Sequence, residues 1–496
     1  MKNTAASLAD PAVAPAEGPH AAIDTTAPAR RLPWRLPAHR FELTVPLDDR
    51  RTLAAAWLAL ATLALVASGL FALLLVAART PGVQAVLPGL DFFHVALVVH
   101  VDLSVLVWFV SMAGLLWTLA DSSRWLGLGW AAWALCAIGA LVMALAPFVD
   151  PGAPLMSNYV PVLESRGFLG GLVLFGIGLG LATLRALAAP GRIGVALTGE
   201  GALRFGLNAA AISAALALGA LLWSWFGLRS GAGQGLAGRP YFELLFWGPG
   251  HVLQFTWTLL MLVAWLWLAT RIGAPLPLSP RVVLLLFGVA LASVFATPVI
   301  YLAWPVGSVE HSRLFTWLMR FGGGLAILPM VLALALALSR VQVCTPTARP
   351  LRSALVASIA LFCVGGAIGF LIQGSDVRIP AHYHGSIVGI TLALMGAAYA
   401  LLPALGYPAP ASRLAVWQPA IYGGGQLLHI LGLVWSGGYG VQRKVAGAEQ
   451  VLRTPQEVAG MGLMGLGGLI AIIGGLLFIV VVLQSVRAAR RPGLAT

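Results

Sequence analysis

A chain of 496 residues with 59% apolar and 9% charged residues and a mean hydropathy of +0.90 is too hydrophobic for a soluble fold. It reads as an integral membrane protein, because its apolar stretches are repeatedly long enough to span a bilayer. The net charge of +13 does not mark a nucleic-acid binder: the basic residues are spread through short connections, as the positive-inside rule explains, and are not arrayed on one soluble face. Cys136, Cys344 and Cys363 are widely spaced without a C-x-x-C-H run, which excludes covalent c-type haem on this chain.

Residues 1–50 are rich in Ala and Pro, lack an apolar core of signal-peptide length, and are expected to be a disordered cytoplasmic extension. Residues 51–487 are expected to form an all-α integral membrane domain, a twelve transmembrane helix bundle, and 488–496 a short cytoplasmic tail. The twelve apolar segments run at roughly 52–78, 90–118, 124–147, 165–189, 202–228, 239–270, 280–304, 313–338, 352–373, 379–404, 415–438 and 458–486. Arginines concentrate in the N-terminal tail, in the even-numbered connections (Arg124, Arg185, Arg192, Arg271, Arg281, Arg340, Arg349, Arg352, Arg413) and after the last segment. That asymmetry predicts both termini in the cytoplasm, for a multi-pass protein of the cell inner membrane. Arg443, Lys444 and Arg453, after the eleventh segment, are the exception. No internal repeat is evident, and Gly322-Gly323-Gly324 reads as a helix-packing site.

Nine histidines are present, and seven of them (His94, His100, His251, His311, His382, His384, His429) fall in or beside apolar segments. For any single one, the plain reading is a buried neutral imidazole bonded to a backbone carbonyl. Counting along the segments, however, places His100, His251, His382, His384 and His429 in the outer half of the bundle, with His311 in the short outer connection VGSVEHSR. Imidazoles gathered at one depth on several elements point to a metal or haem centre. In His382-Tyr383-His384 the two rings lie about 200° apart on a helix, so each reaches a different metal.

These residues resemble subunit I of the haem-copper oxidase superfamily, which includes O2-reducing terminal oxidases and nitric oxide reductases. The resemblance covers nearly the whole chain in helix count and order, and GITLALMGAAYALLPALG looks most like the B-type oxidases. It implies two haems: a low-spin one held by His100, in HVDLSVLVWF, and His384, and a high-spin one held by His382. It further implies a binuclear centre whose second metal, copper or non-haem iron, is held by His251, in GPGHVLQFTW, and His311. Arg443 and Lys444, after LLHILGLVWSGGYG, become candidates for the haem propionates, the plain alternative being a solvated loop. The implied activity is that of a cytochrome c oxidase-like enzyme reducing O2 to water. Electrons would come from an outer-side cytochrome c or cupredoxin, with a small subunit II-like membrane partner.

Two departures bear on that activity. Where the family has two adjacent histidines this chain has Glu310-His311, so a carboxylate joins the candidate ligands, unless it is a proton acceptor or a loop charge paired with Arg313. Where O2-reducing members often carry a tyrosine one turn after the sixth-helix histidine, this chain has Phe255. Tyr301 reads as an interface aromatic, or as a substitute tyrosine if it points inward. The departures keep nitric oxide reduction, 2 NO to N2O, as the alternative, with a haem-binding relative lacking the second metal behind it. From another class, a twelve-helix secondary transporter fits the composition. Glu243, Asp102 and Asp376 are candidates for an outer-side proton path, or for pairing with Arg239 or Arg378.

Overall fold

The computed structural model describes residues 38–81, 92–150, 152–191, 197–230, 235–342, 345–446 and 449–489. Among them, twelve long helices follow one another in the predicted order: α1 (Arg50–Arg79), α2 (Phe93–Ala120), α3 (Leu126–Val149), α4 (Arg166–Ala188), α5 (Gly199–Ser230), α6 (Gly238–Arg271), α7 (Pro280–Ala303), α8 (Val309–Leu338), α9 (Ala348–Gly369), α10 (Arg378–Leu401), α11 (Arg413–Gly438) and α12 (Pro455–Ala489). A short antiparallel hairpin, β1 (Ala153–Leu155) and β2 (Val162–Glu164), joins α3 to α4. Serine side chains cap four of the helix starts, Ser165, Ser279, Ser308 and Ser412, each accepting a backbone N–H from three residues on.

Eleven of the twelve are long and apolar enough to cross a membrane. The remaining helix, α11, is long enough, but Gln418, Gln426, His429 and Gly423–Gly425 dilute its apolar character. Helices α6 and α10 form the interior of the bundle: 83% of each span is buried, against 28% for α1 and α8. They also carry three of the candidate ligands. Just after His100, α2 loosens into a π-helical turn over Asp102–Val107, and α8 is interrupted at Gly323.

Close helix contacts rest on glycine. A Cβ on Gly432 of α11 would come within 2.4 Å of Met464 N on α12, and one on Gly385 of α10 within 2.5 Å of the Gly365 Cα on α9. Backbones this close bring carbonyls of one helix within reach of side chains on the next.

Two expectations change. Residues 38–49, assigned to the disordered extension, lie against the bundle: Phe41 and Leu43 are buried, Phe41 N–H donates to Thr270 Oγ1 at 2.8 Å, and His39 N–H to Leu276 O at 3.0 Å. The apolar pair in Phe-Glu-Leu supplies the anchor that the Ala/Pro composition upstream lacks. The rest of the expected extension, residues 1–37, and nearly all of the expected tail lie outside the described residues, as does Cys344. Second, His311 stands in the first turn of α8 instead of a loop, because Ser308 caps that helix three residues earlier.

Candidate haem and metal site

Four imidazoles share one arrangement. The Nδ1 of His100 on α2 lies 3.0 Å from Ser68 O, that of His251 on α6 lies 2.6 Å from Trp247 O, that of His382 on α10 lies 2.7 Å from Gly365 O, and that of His429 on α11 lies 3.0 Å from Met464 O. A carbonyl only accepts, so Nδ1 carries the proton in each ring and Nε2 keeps its lone pair. This is the tautomer that metal-binding histidines use, with the second nitrogen oriented by a backbone acceptor.

The predicted low-spin residues come together. His384 has His429 and His100 as neighbouring imidazoles, the His384 and His429 rings having centroids 4.9 Å apart at 48°. The Gln426 side chain lies within hydrogen-bonding reach of His384. Gly369, where a Cβ would come within 2.8 Å of the His382 ring, leaves room for that imidazole.

The predicted second-metal residues also converge. His311 is buried, and its Nε2 has no partner. His251 and His311 both pack on Phe315, at centroid distances of 6.3 and 4.9 Å. Tyr301 points inward and is only 6% exposed, so the interface reading does not hold for it. Its ring meets His311 edge-on at 4.9 Å, and its Oη lies 2.7 Å from Ser224 Oγ. Gly248, one turn before His251, makes room for that hydroxyl: a Cβ there would come within 2.3 Å of it.

Glu310 is placed differently. Its side chain is exposed, neighbouring residues on a helix diverge by about 100°, and Arg313 stacks over Trp317 instead of pairing with it. Among the described residues no three His, Cys, Asp or Glu side chains form a group that could hold a metal ion. His251 and His311 therefore stand as a pair. Axial ligation of a haem asks less, one imidazole nitrogen on a side, and the carbonyl-anchored rings of His100 and His382 fit that demand.

At the same end of the bundle, Arg443 and Lys444 lie against the α3–α4 hairpin, not in a solvated loop. Arg443 Nη1 and Lys444 Nζ each donate to Asn158 Oδ1 at 3.2 Å, and Lys444 Nζ also donates to Met156 O at 2.7 Å. Glu243 accepts from the Asn158 backbone N–H at 2.9 Å and from its side-chain amide, and does not pair with Arg239. Burial, then the neighbouring Arg443, push the Lys444 ammonium down to about 8. Asp376 pairs with Arg378 at 2.6 Å, whereas both Asp102 carboxylate oxygens are buried without a partner.

The sequence assigns no ligand to His429 and no role to Tyr159, Asn158 or Arg79, the last of which lies near Tyr383 and His429. His429 was visible at the right depth. Nothing local marked the other three, whose relevance comes from contacts between elements far apart in the chain.

No family model matches the sequence. An uncharacterized protein of Rickettsia prowazekii (strain Madrid E) is 28% identical over 87% of this chain and 95% of its own length. An uncharacterized protein of Aquifex aeolicus (strain VF5) is 30% identical over 71% of this chain and 85% of its own length. In structure, the chain is similar to a haem-copper terminal oxidase dimer solved by cryo-electron microscopy, with a TM-score of 0.64 at 15% identity, covering 91% of this chain and 86% of that one. The chain thus belongs to the same family as the Aquifex aeolicus protein and has the fold of a haem-copper terminal oxidase.

Proposed function

We propose that this protein is the haem-bearing subunit of a membrane terminal oxidase that reduces O2 to water. The observation that carries the reading is the set of carbonyl-anchored imidazoles of His100, His251 and His382, with His384 beside His100, in a bundle of this fold. His100 and His384 would hold a low-spin haem, His382 a high-spin haem, and His251 with His311 a second metal. When bound, these groups supply the electrons and the grip on a diatomic molecule.

The chain's own residues do the rest. Backbone acceptors fix the ring tautomers of His100, His251 and His382 before any ligand arrives. Trp247 and Phe315 line the region around His251 and His311 with apolar surface that keeps water out. The Tyr301 O–H, held by Ser224, stands beside His311 as a proton donor. Arg443, Lys444 and Arg79 offer positive charge to the haem carboxylates.

The inward tyrosine and the exposed Glu310 favour O2 reduction with copper; Phe255 supports the alternative, NO reduction with non-haem iron. The arginine asymmetry puts the histidine end outside, so electrons would arrive there from cytochrome c or a cupredoxin, through a small membrane partner. Metal and haem content, with reduced-minus-oxidised and CO-difference spectra, test the reading. Two haems and one copper are expected. Two haems and one non-haem iron would select the NO reaction, and no haem would overturn the proposal in favour of a transporter.

A further inference from the structure

We propose that the first half of α8 carries a binding site for one anionic phospholipid, with Arg313 and Arg320 holding its phosphodiester headgroup and the leucines that follow lying along an acyl chain. The site uses none of the candidate haem or metal ligands, and it is present whichever diatomic molecule the protein reduces.

The two halves of α8 differ in kind. Val309–Gly322 carries Glu310, Arg313 and Arg320, whereas Gly324–Leu338 has no charged residue. His311 and Phe315 turn into the bundle, and the other side of the helix is an exposed stripe in which Arg313, Trp317, Phe321, Leu325, Leu328 and Leu332 recur every three or four residues, with Arg320 beside Phe321. The twenty residues from Arg320 to Arg340 make about 30 Å of helix, the thickness of the hydrocarbon core of a bilayer. Arg320 therefore stands at one edge of the hydrocarbon and Arg340 at the other, and the exposed leucines between them face lipid tails. Arg313, about 10 Å further along the helix, reaches headgroup level.

Neither guanidinium is neutralised by the protein: among the described residues, Arg313 and Arg320 form no ion pair. Both are instead laid on aromatic rings. The Arg313 Cζ is 4.9 Å from the Trp317 centroid, and the Arg320 Cζ is 5.8 Å from that of Phe370, just past the end of α9, where Arg320 Nη2 also donates to Gly369 O at 3.5 Å. A stacked guanidinium is held across its face and keeps N–H groups along its edge for oxygen acceptors, the geometry in which arginine grips phosphate. Arg313 and Arg320 are seven residues apart, so they lie within about 20° of each other around the helix, and two side chains of this length converge on one phosphodiester. A zwitterionic headgroup brings an ammonium of its own to that phosphate, so the unpaired arginines favour a lipid with net negative charge.

The test is quenching of Trp317 fluorescence in the purified full-length protein, reconstituted into phosphatidylcholine bilayers. Increasing fractions of phosphatidylglycerol brominated on the upper acyl chain are added, with brominated phosphatidylcholine as the reference, and the Trp317 signal is the difference made by Trp317→Phe in each background. The brominated phosphatidylglycerol should quench that signal at a mole fraction roughly fivefold or more lower than the brominated phosphatidylcholine, the scale of at least one arginine at a membrane surface. In the double variant Arg313→Gln/Arg320→Gln the two lipids should quench alike. Both side chains are exposed, so a melting temperature equal to wild type is expected and reports that the variant has folded. Equal quenching by the two lipids in wild type would overturn the site, as would a preference that survives the double substitution. Quenching by neither lipid would also overturn it and assign this face to a protein helix.

Discussion

The two ends of the bundle handle buried polarity in opposite ways. Where α2 finishes, charges are turned onto the protein itself. Asp121 pairs with Arg185 at 3.2 Å, with both side chains almost fully buried, while guanidinium groups of Arg50, Arg185 and Arg204 donate to the carbonyls of Asp121, Ser122 and Ala120. At the opposite end, four imidazoles give Nδ1 to a backbone carbonyl, and the buried Nε2 of His311 has no protein partner. Saturated contacts of the first kind stabilise a fold; half-used donors and acceptors of the second kind are what a ligand needs. The contrast separates structure from site where composition alone sees only costly polar groups in an apolar chain.

Breaking the saturated end should cost most in stability. Asp121→Ala leaves Arg185 buried and unpaired, for an expected loss of about 3–5 kcal/mol, read as a fall in melting temperature with haem spectra intact below the transition. At the half-used end the effect moves from stability to ligation. His384→Ala should abolish the low-spin haem spectrum and His382→Ala the CO-binding haem, each in a protein that still inserts. If both variants keep wild-type spectra, the ligand assignment falls.

Tyr301→Phe removes one hydroxyl without opening a cavity. In steady-state oxygen consumption it should lower turnover by roughly 10²-fold or more, with metal content unchanged. A variant as fast as wild type would remove the tyrosine from the chemistry.

The smallest effect concerns Lys444. Its ammonium is pushed down to about 8 in the folded protein against 10.5 ordinarily, so its charge is present below about pH 8 and lost as the pH rises through that value. Between those two values the unfolded chain binds the extra proton, so folding gains stability with rising pH while the grip on a carboxylate weakens. A haem midpoint potential that drifts above about pH 8 in wild type and not in Lys444→Arg would establish the contact.

Much of this architecture was legible because membrane helices announce themselves locally. Twenty apolar residues between arginine-bearing connections need no tertiary information, and the helix order followed. The histidines were legible for the same reason: a polar ring in an apolar run stands out, and its depth can be counted. What could not be read was which way a side chain turns at a helix end. Tyr301 and Glu310 both sit near the boundary, and packing against Ser224 and His311 brings one inside while the other stays exposed. Tyr159 was out of reach altogether, since a loop tyrosine carries no pattern and acquires its place only when the hairpin meets α6.

The contact between Gly365 and Gly385 ties helix packing to ligand chemistry. Gly365 lets α9 touch α10, and its carbonyl is the acceptor for His382 Nδ1–H. A donated N–H makes an imidazole more electron-rich, and the strength of that donation follows the spacing of the two backbones. One methyl group at position 365 would push the helices apart, lengthen the hydrogen bond and leave a less basic imidazole at His382. On the proposed reading, the separation of two helices would tune the affinity for electrons at the site where the diatomic molecule binds.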